Sequence, residues 1–225
     1  MSLRRLAALL LALGVVVGCG EEASGKGSAQ LWITRDRGAE VVLTATVPAG
    51  ISAMEALRRK ADVETRYGGR FVQAIDGVEG SLADQHDWFF YVNGYEADRS
   101  ATDYRLHDGD VLWFDHRSWG TEQRVPIVIG AFPEPFVHGF DGRRRPAVVD
   151  AAETETARRL AKLVRGSLNG PADGANRLVL VGGSGFRARL SGAAGDPVVF
   201  ELGVDAARRL ARDPTLARFR YEGLR

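Results

Sequence analysis

The sequence holds one cysteine in 225 residues, and that scarcity excludes an intrachain disulfide and any cysteine-clustered zinc or iron–sulfur site. Charge of one sign is lacking as well. The formal net charge is +1, so there is no electrostatic footprint for nucleic acid as a partner. Histidine is scarce. His86, His107, His116 and His138 form no His-x-x-x-His or His-Glu pair, so a metal site would have to be assembled from distant segments. Gly-x-Ser-x-Gly and Gly-Lys-Ser/Thr are both missing. Gly182-Gly183-Ser184-Gly185 has neither spacing, and Phe186 onward alternates like a strand rather than opening a helix that could hold an anion. Asp108 and Asp110 are too few carboxylates for a calcium shell. With no motif supporting catalysis, the chain is read as a non-enzyme with no catalytic residue, no metal and no cofactor.

What is present begins with a targeting segment. Arg4 and Arg5 precede an apolar run over residues 6–17 that is too short to span a ~30 Å hydrocarbon core, and the run ends at Val16-Val17-Gly18-Cys19. This pattern resembles a bacterial lipobox, which implies diacylglycerol on Cys19. Two acyl tails suffice for stable attachment, so the expected location is extracytoplasmic, anchored to the outer face of the bacterial cell membrane. Residues 1–19 are therefore signal peptide and lipobox. Residues 20–30, rich in Gly, Ser, Glu and Lys without an aromatic, read as a flexible tether.

The remaining chain divides by charge. Residues 31–120 carry 10 basic against 15 acidic side chains, and residues 125–225 carry 16 against 11, which suggests two modules. In the first, residues 41–47 alternate so that Val41, Leu43, Ala45 and Val47 share a buried face. Ser52-Ala53-Met54-Glu55 reads as a capping box opening a short helix with Met54, Leu57 and Ala61 on its apolar stripe. Strands are expected over residues 63–67 and 70–75. Trp88-Phe89-Phe90-Tyr91-Val92 then runs into Asn93-Gly94, the pair that supplies two φ > 0 residues to a type I′ hairpin turn, and Asp108-Gly109-Asp110 is a turn feeding residues 111–114.

The run Trp88 to Gly94, the Ser100-Ala101-Thr102-Asp103-Tyr104 segment and Leu106-His107-Asp108-Gly109-Asp110-Val111 together resemble the signature of the transcobalamin-like C-terminal domain family. The likeness covers roughly residues 31–120. It implies an α+β fold in which a β-grasp domain, a mixed sheet gripping one helix, is related to the cobalamin-covering β-domain of transcobalamin and intrinsic factor. It also implies a face for cobalamin or a similar small ligand. Vertebrate members add a helical domain that this chain lacks, so an envelope protein partner is the expected source of a second wall.

Residues 120–124 read as a linker to a second, small α/β domain over residues 125–225. Expected strands there cover residues 125–130, 146–149, 177–181, 186–190, 197–202 and 218–221. One helix follows an acidic cap at Asp150 to Glu153 and buries Ala157, Leu160, Ala161 and Val164, and another covers residues 204–212. Ala131 to Gly139 is an aromatic, proline-stiffened loop and a candidate wall between the modules. Arg143-Arg144-Arg145 reads as a solvated turn in preference to a site facing the anionic headgroups that a lipid anchor would bring near. Tyr91, Tyr95, Trp119, Phe132, Phe136 and His138 are the expected ligand-binding residues, because a broad apolar ligand requires an exposed aromatic patch. Two functions follow: a lipid-anchored binding protein for a cobalamin-like or other small ligand, or a cell-surface scaffold that docks protein or polysaccharide and binds no small molecule.

Overall fold

The computed structural model describes residues 27–224. The charged start, the apolar run, Cys19 and most of the tether lie outside the described residues. The structure is dominated by sheet, with three short helices.

Aromatic and β-branched side chains build the first module. Its strands are β1 (Ser28–Arg35), β2 (Glu40–Pro48), β3 (Val63–Arg66), β4 (Phe71–Ile75), β5 (Val78–Glu79), β6 (His86–Val92), β7 (Tyr95–Glu96) and β8 (Val111–Ser118), and its helix is α1 (Ala53–Arg58). The main sheet runs β2-β1-β8-β6-β7, and β3-β4-β5 form a separate sheet. β1 and β8 are parallel neighbours at the centre, with antiparallel strands on either side.

β1 begins at Ser28, inside the segment expected to be tether. The Ser28 amide donates to Asp108 Oδ1 at 2.9 Å, and the Gln30 amide donates to the Asp110 carbonyl, so the strand is recruited by β8 rather than by its own composition. The expected alternation of β2 holds from Leu43 onward, but Val41 is 42% exposed. The register shifts between Ile33 and Thr34, which pair with Leu43 and Val41, and Val42 is left over as a bulge that turns Val41 outward. Half of the capping box forms. Ser52 Oγ accepts from the Glu55 amide at 3.1 Å, whereas the Glu55 carboxylate pairs with Arg59 one turn on.

The second module has β9 (Ala147–Asp150), α2 (Glu155–Leu163), β10 (Ser167–Leu168), β11 (Asn176–Val181), β12 (Phe186–Leu190), β13 (Val198–Gly203) and α3 (Val204–Arg212). Its sheet runs β10-β9-β11-β13-β12, parallel except for β12. Three expectations are corrected here. The cap of α2 is Thr154, whose hydroxyl accepts from the Ala157 amide, and not the Asp150 box. Residues 125–130 form no strand of their own. Pro126 has no N–H for a ladder, so the segment lies along β7 through one bridge between Tyr95 and Ile127. Residues 218–221 are not a strand either; they follow a 3-10 turn (Pro214–Ala217) and plug into the first module.

That plug ties the modules together. Phe219 and Tyr221 pack with Trp32, Tyr91, Trp113 and Val128 on one face of the main sheet. The chain passes so close that a Cβ on Gly130 would sit 2.7 Å from the Arg220 carbonyl oxygen, and one on Gly38 would overlap the Phe219 carbonyl. A second apolar cluster, on the opposite face, runs unbroken from Leu57 and Ile33 through Phe136 to Phe200 and Leu210. The linker is anchored too: buried Arg117 donates to the carbonyls of Ser118, Glu122 and Gln123 at 3.1, 2.8 and 3.2 Å.

Candidate functional site

The six aromatic and histidine positions singled out in the sequence do not converge on one surface. Tyr91 is 0% exposed, with its ring edge-on to Tyr221 at 5.4 Å and tilted against Trp113 at 5.6 Å. Tyr95 is buried against Phe140, and its hydroxyl donates to the Asp196 carbonyl at 2.9 Å. Burial pushes both phenols above their ordinary range. Phe132 and Phe136 are core, Phe136 meeting Phe200 edge-on at 5.3 Å. Trp119 is half-buried at the far end of β8, where its amide donates to the Gln85 carbonyl. His138 is half-buried, with Nδ1 2.6 Å from Glu134 Oε1. In this fold Tyr91, Tyr95, Phe132 and Phe136 pack the interior rather than present an aromatic face. Alternation places Tyr91 on one side of β6 but does not say that residues 219–221 will cover that side.

The opposite face of β6 does open a cleft. Trp88 and Phe90 project from it, Phe90 stacking on Phe114 of β8 with centroids 5.2 Å apart and planes at 21°. Trp88 is held by its indole N–H, which donates to the Val78 carbonyl at 2.8 Å, and by His116 packed on its ring at 5.1 Å. Phe71, at the start of β4 and 37% exposed, stands at the mouth. The cleft has a volume of about 250 Å³ and is open on one side.

Charges of both signs stand around that apolar floor: Arg70 and Arg99 against Asp87 and Glu96. Arg70 is placed by a two-point pair with Asp103, at 2.5 and 3.3 Å, and its carbonyl accepts from the Ser100 hydroxyl at 2.6 Å. Burial raises the Asp87 carboxyl, against the opposing effect of the Trp88 amide that donates to Asp87 Oδ1 at 2.8 Å. His116 is lowered, chiefly by desolvation. Trp88 and Phe114 are themselves buried, so the apolar surface on offer is the half-buried Phe90 ring with exposed Phe71 at the mouth, and hydrogen-bonding groups of both polarities stand at its edge. Among the described residues no group of three or more His, Cys, Asp or Glu could hold a metal ion, and no helix is long and apolar enough to cross a membrane.

Sequence reasoning missed Phe71, Trp88, Phe90, Phe114 and Arg99 as lining residues. The available signal was the period-two spacing of Trp88 and Phe90, which assigns them jointly to the face that the C-terminal plug leaves free.

Comparison with known proteins falls on this region. Residues 50–118 match a family model described as a domain of unknown function, DUF4430. Every residue lining the aromatic cleft lies within that stretch. Among solved structures, the chain is similar to haptocorrin in complex with Cbi, at 18% identity and a TM-score of 0.35, over 41% of this chain and 25% of that one. It is also similar to a protein from Ruminococcus gnavus described provisionally as metal binding, at 14% identity and a TM-score of 0.32, over 41% of this chain and 98% of that one. The chain thus spans about a quarter of the haptocorrin chain. No curated protein matches.

Proposed function

We propose that this is a lipid-anchored extracytoplasmic binding protein that takes up a flat, largely apolar small ligand in the cleft floored by Trp88, Phe90 and Phe114. The observation that carries the reading is the cleft itself: half-buried Phe90 stacked on buried Phe114, exposed Phe71 at the mouth and charges of both signs at the rim, inside the stretch that matches the family model. A corrinoid is the ligand class nominated by the signature resemblance, being a broad ring with polar amides at its edge. The volume, about 250 Å³, lies below the ~300–1,000 Å³ of pockets that enclose a ligand, so the cleft grips one side and a partner protein in the envelope supplies the other. The β-grasp reading of the first module belongs to this proposal. It is supported by the parallel β1–β8 pair and by α1 sharing one apolar cluster with the sheet. Attachment is through diacylglycerol on Cys19, and fatty-acid labelling of the wild type but not of Cys19→Ser tests it.

Titration calorimetry of the full chain with cobalamin and cobinamide tests the ligand reading. An affinity that falls about tenfold in Phe71→Ala supports it, and no heat at millimolar ligand ends it.

One observation favours a second reading, docking of another protein by strand addition. β2 is the outer strand of the main sheet, nine residues long, with Val41 and Val42 exposed beside an unpaired backbone edge. A proline at Val42 that abolishes capture of an envelope protein while leaving corrinoid titration silent selects this reading.

A further inference from the structure

A second cleft, of about 500 Å³, opens where the two modules meet. Arg99, from the loop after β7, forms one wall; the turn at residues 140–146 and the loop at residues 194–196 form the others. Four arginines, Arg99, Arg143, Arg144 and Arg145, face two carboxylates, Asp141 and Asp196, an excess of two positive charges. Asp98, just outside the lining, also pairs with Arg99 and reduces the local excess to one.

The arginines are not equivalent. Arg99 pairs with Asp98 at 2.8 Å and with Asp141 at 3.4 Å, and Arg145 pairs with Asp196 at 3.3 Å, so these two are already neutralised. Arg144 is pinned without being neutralised: its Nε donates to the Phe136 carbonyl at 2.9 Å and its Nη2 to the Arg165 carbonyl at 2.5 Å. Arg143 has an exposed side chain and no ion pair among the described residues. Its backbone is held by reciprocal hydrogen bonds with Phe140, at 3.0 and 3.2 Å, across a turn in which Asp141 and Gly142 both take positive φ. The arginine run that the sequence presents as a solvated turn therefore forms one wall of the cleft, in which the Arg144 guanidinium is fixed by carbonyls and the exposed Arg143 side chain makes no ion pair among the described residues, within a local excess of one positive charge. A guanidinium fork matches the oxygens of a phosphate, and fixing it beforehand lowers the entropy lost on binding.

We propose that this cleft binds a phosphate group, with Arg143 and Arg144 as its cationic contacts. The group has two sources, a soluble phosphorylated molecule or the headgroup of an anionic lipid, and the chemistry is common to both. The inference does not depend on the aromatic cleft, although Arg99 lines both.

The test uses the full chain carrying Cys19→Ser, so that no acyl tail confounds it. Inorganic pyrophosphate is titrated by calorimetry at low salt, and flotation is compared on phosphatidylcholine vesicles with and without phosphatidylglycerol. Binding of either probe is expected, weakened about tenfold by Arg143→Gln, only partly retained by Arg143→Lys, which keeps the charge and loses the fork, and unchanged by Arg187→Gln on exposed β12. Pyrophosphate heat alone assigns a soluble source, and phosphatidylglycerol-dependent flotation alone assigns a lipid one. Absence of both signals overturns the proposal, as does Arg143→Gln binding like the parent.

Discussion

The Tyr221 hydroxyl donates to Asp115 at 2.8 Å, joining the C-terminal plug to the middle strand of the first module across 106 positions. Asp115 is fully buried and also accepts from the Thr34 hydroxyl at 2.5 Å and the Gly38 amide at 3.1 Å. Thr34 in turn accepts from the Trp113 indole at 2.7 Å. One carboxylate thus gathers β1, β8, the turn after β1 and the C-terminal plug.

Tyr221→Phe keeps the ring packing on Tyr91 and Trp113 but removes one donor from a buried carboxylate. The expected loss is about 1–3 kcal/mol, seen as a lower urea midpoint at unchanged slope. Deleting residues 218–225 uncovers Trp32 and Trp113 and should shift tryptophan emission to the red. An unshifted spectrum would mean that the plug does not cover them.

Much of this architecture is legible in local pattern, and the plug is not. Asn93-Gly94 forms the expected turn, with φ of 51° and 85°, because those angles are a property of two adjacent residues. Helix α3 spans the expected Val204–Arg212, because its apolar positions recur at helical spacing. Residues 218–221 alternate well enough to suggest a strand, yet they find aromatic partners on β1, β6 and β8 instead of a ladder, and that choice is made by tertiary contact. The same contact decided the site: covering the Tyr91 face left the Trp88 and Phe90 face to form the cleft.

Arg117 is a buried cation whose two terminal nitrogens donate to carbonyls while its Nε has no partner among the described residues, and its guanidinium lies 3.8 Å over the Phe89 ring. Arg117→Met preserves the stem but strips donors from Ser118, Glu122 and Gln123. A loss on the order of 3 kcal/mol is expected in chemical denaturation, with faster proteolysis at residues 120–124.

The His138 imidazole is raised above its ordinary 6.5, first by its hydrogen bond to Glu134. The folded state therefore binds the proton more tightly than the unfolded one. This contribution to stability is complete below 6.5 and is lost as pH rises through the raised folded value. The gap in denaturation midpoint between wild type and His138→Gln should narrow as pH rises through that window. A gap that widens reverses the assignment.

Phe71 is exposed and meets Tyr67 edge-on at 6.1 Å. Phe71→Ala should change stability by less than about 1 kcal/mol. The same substitution should weaken ligand in the aromatic cleft about tenfold, whereas Phe90→Ala, which breaks the stack on Phe114, should lower both. Paired calorimetric titrations and denaturation curves separate the two effects.

Hydrogen–deuterium exchange of the full chain with and without cobalamin bears most directly on the binding function. The account predicts slowed exchange in residues 70–75 and 86–101 around the aromatic cleft, reached in Phe71→Ala only at about tenfold more cobalamin. Unchanged exchange there at saturating cobalamin, or protection confined to the β2 edge when an envelope partner is added, would contradict it.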